Sequence, residues 1–214
     1  MTITLNGTNG VTTPGVVNSA GETIATTLAV AGATSIGGAA TVGGALTVTG
    51  AVRGSGVTTN IYPIVLGTVN TSSSVTSKAF TGIPSWVTRI TMTFVNITPT
   101  ATNTIIQIGS ASGSYKTTGY TSVGQVVYSA SGGTTTSTEG FAIYTSNGYV
   151  ASGQATLVRQ TSDVWTCTHM LTYNDGGIGL GAGDVNLGAD LDRIRLYSET
   201  GTPTFSGNVN IMYE

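Results

Sequence analysis

Val164-Trp165-Thr166-Cys167-Thr168-His169-Met170-Leu171-Thr172-Tyr173 decides the fold class. Successive side chains of an extended chain point to opposite faces. Trp165, Cys167, His169, Leu171 and Tyr173 therefore share one face of a strand. The same alternation recurs outward from it. In Val87–Ile97, Ile90, Met92 and Phe94 oppose Arg89, Thr91 and Thr93. In Leu191–Ser198, Ile194 and Leu196 oppose Arg193 and Arg195. Further strands are predicted at Ile61–Val69, Thr104–Ile108, Val123–Tyr128, Gly140–Thr145, Gln154–Gln160 and Val209–Tyr213. Turn-forming clusters separate them: Pro99-Thr100, Ser110–Ser114, Ser129–Ser137, Ser146–Gly148, Asn174–Gly183 and Gly201–Pro203. Many short strands punctuated in this way predict an all-β head over 61–214, a jelly-roll-like β-sandwich.

Composition agrees. The 214 residues include 31 Gly, 41 Thr and 20 Ser, while charged residues make up 7%. Thr and Gly disfavour helix, and Thr suits a pleated surface. Net charge is −2, so the chain lacks the basic footprint that nucleic-acid binding requires. No apolar run of 18 residues offers a membrane-spanning helix. Met1–Gly10 has neither the basic nor the apolar region of a signal peptide. So little charge protects a monomer poorly against self-association, which points to life inside an assembly.

The first 61 residues differ from the rest. All 15 aromatic residues lie between Tyr62 and Tyr213, and the first 61 residues carry only Glu22 and Arg53 as charges. This segment has a period of six. Val30, Ile36, Val42 and Val48 each stand two residues before Gly32, Gly38, Gly44 and Gly50. Six is even, so in extended chain the four aliphatic side chains face one way. A single-chain left-handed β-helix also uses hexapeptides, but one coil takes roughly 18 residues and several coils must stack. About four hexads are little more than one coil. Three chains side by side could bury the aliphatic row on a common axis. We therefore read 27–60 as a Gly/Ala-rich homotrimeric β-shaft, with a flexible linker as the alternative. Residues 1–26 precede it, with an alternating Thr2-Ile3-Thr4-Leu5 and turn pairs at Asn6-Gly7, Asn9-Gly10 and Pro14-Gly15. They read as a peg that orders against a partner, with Ile3 and Leu5 as its docking side chains.

Few residues could carry chemistry. Cys167 and His169 lie side by side on one strand face, flanked by Trp165 and Leu171. Core packing explains them better than a nucleophile pair. Asp175–Asp184 is similar to a calcium-binding Gly-rich turn, but Gly181 stands where that motif needs an acid. It reads as a mobile Gly-rich surface loop. Glycoside cleavage needs two carboxylates about 5–10 Å apart. The head has eight acids, scattered in sequence. No catalytic residue, metal site or cofactor is expected. Tyr115, Tyr120, Tyr128, Tyr144 and Tyr149 fall in or beside loops rich in Ser, Gly, Thr and Asn. That pairing suits adaptable recognition surfaces, and sugar faces stack on aromatic rings. Tyr115, Tyr120 and Tyr149 are the candidate receptor-binding residues.

The hexads followed by Ala79–Ile90 (AFTGIPSWVTRI) resemble fibre proteins of tailed bacteriophages. So do Ile106–Ser110 (IQIGS) with Thr118-Gly119-Tyr120, Leu191–Arg195 (LDRIR) and Asn210–Glu214 (NIMYE). Ile3–Thr8 is similar to the virion-docking ends of such fibres. The resemblance covers most of the chain. It implies a homotrimer with an N-terminal anchor, a β-shaft and a head that touches the host surface, here on a short appendage. Its partners would be itself, phage neck, tail or capsid proteins, and a host surface glycan. Its place would be the virion, after assembly in the host cytoplasm. Two other expectations stay open: a purely structural neck, collar or capsid decoration, and a polysaccharide-degrading tail enzyme.

Overall fold

The computed structural model describes residues 52–53, 60–100, 104–129, 131–143, 148–161, 163–199 and 204–214. The shaft positions Val30, Ile36, Val42 and Val48, the docking positions Ile3 and Leu5, and Tyr144 lie outside the described residues.

The described residues form fourteen strands and no helix. In chain order these are β1 (Val52–Arg53), β2 (Asn60–Ile61), β3 (Val65–Leu66), β4 (Ser77–Thr81), β5 (Arg89–Pro99), β6 (Thr104–Ser110), β7 (Tyr120–Val127), β8 (Gly132–Ser137), β9 (Phe141–Ile143), β10 (Ala151–Arg159), β11 (Val164–Tyr173), β12 (Ile178–Asn186), β13 (Leu191–Ser198) and β14 (Phe205–Tyr213). β1 and β2 pair with each other. An eight-stranded sheet has the order β3-β14-β5-β10-β11-β12-β7-β8, and a four-stranded sheet has the order β4-β13-β6-β9. All pairings are antiparallel. The described residues are thus all-β, built on two main antiparallel sheets.

The alternation seen in the sequence sets the faces. Ile90, Met92 and Phe94 of β5 and Trp165, Cys167 and Leu171 of β11 are buried in one cluster with Ile106 and Ile108 of β6 and Ile194 and Leu196 of β13. Both sheets therefore contribute one apolar face to a common core, and burying it drives their association. Asn96 interrupts the ladder with a φ of 55°. Register shifts on both flanking strands meet it, at Ala151/Gly153 and Ser206/Asn208. Gly207, at φ 92°, lies where a Cβ would stand 2.2 Å from the Asn96 carbonyl oxygen. This shared bulge re-aims three neighbouring strands at once.

The Gly-rich stretch read as a mobile loop is instead mostly strand. Only Asn174–Gly177 turns, and β12 begins at Ile178. Gly179, Gly181 and Gly183 recur every second residue and face the core, in register with Leu171, His169 and Cys167 of β11. A Cβ on Gly179 would fall 2.6 Å from the Tyr173 hydroxyl oxygen, and one on Gly183 2.5 Å from the Thr121 carbonyl oxygen. These glycines admit close neighbours rather than mark a turn. The 129–137 turn likewise holds a strand, β8, whose Thr/Ser side chains hid an edge strand paired to β7 through its backbone. β4 lay outside the predicted strands.

Candidate functional site

The three candidate tyrosines occupy three different environments. Tyr120 opens β7 and is buried at 2% exposure, edge-on to Phe141 at 5.0 Å between ring centroids. The Ile108 backbone N–H donates to its hydroxyl oxygen at 3.0 Å, and burial pushes its phenol up. Tyr120 is therefore a core residue and has no face to offer a ligand, contrary to expectation. A single i-to-i+5 step from Tyr115 carries the chain from surface to core, which loop composition did not reveal.

Tyr149 is exposed, beside Gly148, whose N–H donates to the Pro99 carbonyl at the end of β5. Tyr115 lies at the other end of β6, bridged to Gly109. From Thr104 to Gly109 the strand spans roughly 16 Å at about 3.3 Å per residue. Tyr115 and Tyr149 thus belong to opposite ends of the head and cannot form one patch. Tyr128 packs against the core beside Gly177.

Tyr115 is the tyrosine that sits in a constructed site. The 110–119 segment folds back over the outer face of the four-stranded sheet. The Lys116 N–H donates to the Ile108 carbonyl at 2.9 Å. Gly109 permits the crossing, since a Cβ there would meet the Ser114 carbonyl oxygen at 2.4 Å. Alternation along β13 turns Arg193, Arg195 and Tyr197 outward. Arg195 Cζ lies 4.0 Å from the Tyr115 ring centroid and 3.9 Å from that of Tyr197. The guanidinium thus lies over both rings, and cation–π attraction holds it. Its Nε and Nη2 both donate to Gln107 Oε1, at 2.9 and 2.6 Å. Gln107 is itself fixed, donating from Nε2 to the Glu139 carbonyl at 2.8 Å. The Nη1 side of the guanidinium remains as the outward donor edge. Among the described residues, Arg195 has no carboxylate partner.

Exposed hydroxyls flank this platform. Ser110, Ser112 and Ser114 form a ladder with oxygen separations of 2.8 and 3.3 Å. Arg193 pairs with the neighbouring Asp192 at 2.8 Å. Burial raises the Tyr115 phenol while Arg195 and Arg193 oppose that rise. The site therefore combines a half-buried aromatic face, a pre-oriented cation and a row of small hydroxyls. It can stack on a sugar ring and donate hydrogen bonds to hydroxyl or carboxylate oxygens. The outward set of Arg193 and Arg195 was legible in the alternation. Tyr197 shares that face by the same alternation, whereas Gln107 was not legible, because its part depends on which strand neighbours β13.

Other reactive groups are packed away. Cys167 is buried, and burial pushes its thiol up, away from the thiolate form. His169 is 6% exposed, and burial brings it down to about 4. Among the described residues its Nε2 has no hydrogen-bond partner. The Asp190 and Glu214 carboxylates are tied to Arg159 and Arg89 in ion pairs. Among the described residues, no group of three or more His, Cys, Asp or Glu could hold a metal ion. A concavity of about 510 Å³ is lined by 67–72 and neighbouring residues of β4 and β14. Lys78 is buried near it, its Nζ donating to the Ser72 and Asn70 carbonyls. No family model, no curated protein and no solved structure matches the chain.

Proposed function

We propose that the chain is a virion fibre protein of a tailed bacteriophage, a homotrimer whose head adheres to a host surface glycan. Residues 1–26 dock it to neck, tail or capsid proteins, and 27–60 form the interwoven shaft. The resemblance of the hexads, the LDRIR strand and the NIMYE end supports the fibre reading.

The pairing order supports a jelly-roll head. Set aside the separate β1–β2 pair, and β7, β8, β11 and β12, which widen one sheet. The remaining strands pair as first-eighth-third-sixth and second-seventh-fourth-fifth, the order of two interleaved Greek keys. That architecture is shared by viral and sugar-binding domains, so it sets an expectation by analogy.

The observation that carries adhesion is the Tyr115–Arg195–Tyr197 stack beside the serine ladder. Each such site would bind a sugar weakly, at about millimolar affinity or about 4 kcal/mol. Three sites per fibre and several fibres per particle would convert this into firm attachment. The decisive experiment compares adsorption of normal phage with phage whose fibre ends before the head. Loss of adsorption supports the reading. Unchanged adsorption favours a structural decoration, and release of sugar products from host polysaccharide by the full-length chain would favour the enzyme.

A further inference from the structure

Three of the four arginines in the head have a carboxylate of their own. Arg89 pairs with Glu214, Arg159 with Asp190 and Arg193 with Asp192, at 2.9, 2.8 and 2.8 Å. Arg195 has none among the described residues, although it is half-buried in the middle of β13. A guanidinium taken out of water without a counter-charge is costly, and burial works against its charged form. Yet the group is held in place, by two rings and by a glutamine that is itself fixed. A cation that is fixed and left uncompensated fits recognition of an anion better than it fits stability.

The free donors define what that anion looks like. A guanidinium carries five N–H groups in a planar fork. Gln107 Oε1 takes one from Nε and one from Nη2. Three are left, one on Nη2 and two on Nη1, and no acceptor among the described residues takes them. They lie along the end of the fork, an edge that meets a carboxylate through two parallel hydrogen bonds. On the side away from Gln107, β4 places only Ala79 in register with Arg195, and Thr81 in register with Arg193. Both are exposed, and both line the 510 Å³ concavity, so open space adjoins this row.

Local charge narrows the choice. Arg193 is neutralised by Asp192, and Lys116 runs toward Gly119, where a Cβ would stand 3.8 Å from its Cε. The platform therefore offers one uncompensated positive charge. A carboxylate brings one negative charge in a planar, two-oxygen form. A phosphate monoester brings about −1.5 to −2 on a tetrahedron. The hydroxyls of Ser110, Ser112 and Ser114 and the Tyr115 ring suit the remainder of a sugar.

We propose that Arg195 binds the carboxylate of a sugar acid, and that the glycan held by the head is an acidic polysaccharide whose rings carry that group. The inference rests on the adhesion reading above and names its substrate class.

The test measures binding of the full-length chain to purified host surface polysaccharide, native and carboxyl-reduced. Carbodiimide followed by borohydride converts each ring carboxylate to a primary alcohol and leaves the rest of the polymer in place. Reduction should weaken binding about tenfold or more, the worth of charge-assisted hydrogen bonds. Arg195→Gln should bind the native polymer as weakly as wild type binds the reduced one, and lose little more on reduction. Ala79→Glu, a second variant at an exposed position, offers the fork a carboxylate from the neighbouring strand and should weaken binding likewise. Cys167, buried in the core, reports folding of each variant by staying closed to thiol reagent. Equal binding of native and reduced polymer overturns the proposal and leaves adhesion standing. Loss on reduction with full binding by a folded Arg195→Gln or Ala79→Glu also overturns it, since the carboxylate would then be read elsewhere. Wild type that binds neither polymer overturns both readings. The wild-type arms decide on the sugar acid even where a variant fails to fold.

Discussion

His169 and Gly181 face each other in register across β11 and β12, and a methyl group on Gly181 would lie 2.0 Å from His169 Cε1. The imidazole is seated over bare backbone. Gly181→Ala would also press on the Val123 carbonyl oxygen, 2.6 Å from the new Cβ. Overpacking at such a site should cost about 2 kcal/mol or more. Gly176→Ala is the comparison: nothing lies within 4 Å, but φ is 88°, so about 1 kcal/mol is expected. Urea midpoints of the two variants check the order.

The same pocket predicts acid sensitivity. His169 is held neutral by burial, down to about 4 from an ordinary 6.5. Between those values the unfolded chain binds the proton and the folded chain does not. Stability is therefore full above pH 6.5 and falls as pH drops toward 4. The shift corresponds to about 3 kcal/mol at 1.36 kcal/mol per unit. His169→Gln should flatten this part of the profile. Urea unfolding at pH 7.5, 5.5 and 4 measures the difference between the two chains.

Tyr115→Ala and Tyr120→Ala should separate binding from folding. Tyr115 covers Arg195 at the surface, so its loss should leave melting within about 1 kcal/mol and lower phage adsorption about tenfold through lost avidity. Tyr120 fills the core, and truncating a buried aromatic costs about 3–5 kcal/mol. Equal effects of the two variants on melting would count against this assignment.

The contact of Arg195 with two rings predicts a mode of recognition. Arg195→Lys keeps the charge but loses the planar stack and the double donation to Gln107. Adsorption should fall nearly as far as with Arg195→Gln. If lysine restored full adsorption, charge alone would be sufficient and the stack incidental.

The shaft can be tested on its aliphatic row. Ile36→Asp with Val42→Asp would set six carboxylates beside one three-fold axis, each costly to desolvate. The expected result is loss of the three-copy mass. An unchanged mass and melting profile would overturn the shaft.

Alternation in Val164–Tyr173, Val87–Ile97 and Leu191–Ser198 by itself determined the all-β class of the described residues and placed Trp165, Ile90 and Ile194 on the core side. This worked because strand geometry has a period of two that any half-buried segment must obey. It also turned Arg193 and Arg195 outward. Tertiary structure alone decided the rest. Gly179–Gly183 looked like a loop because glycine is read as a turn signal, yet here its missing side chain makes room for His169 and Tyr173 across the ladder. Tyr120 looked like Tyr115 because both sit in small polar surroundings. The core claimed one when Phe141 packed against it, and β13 claimed the other when Arg195 rose beneath its ring. Period is a property of neighbours in sequence. Which strands lie side by side is fixed by contacts far apart in the chain, and the Tyr115–Arg195–Gln107 site is made of those.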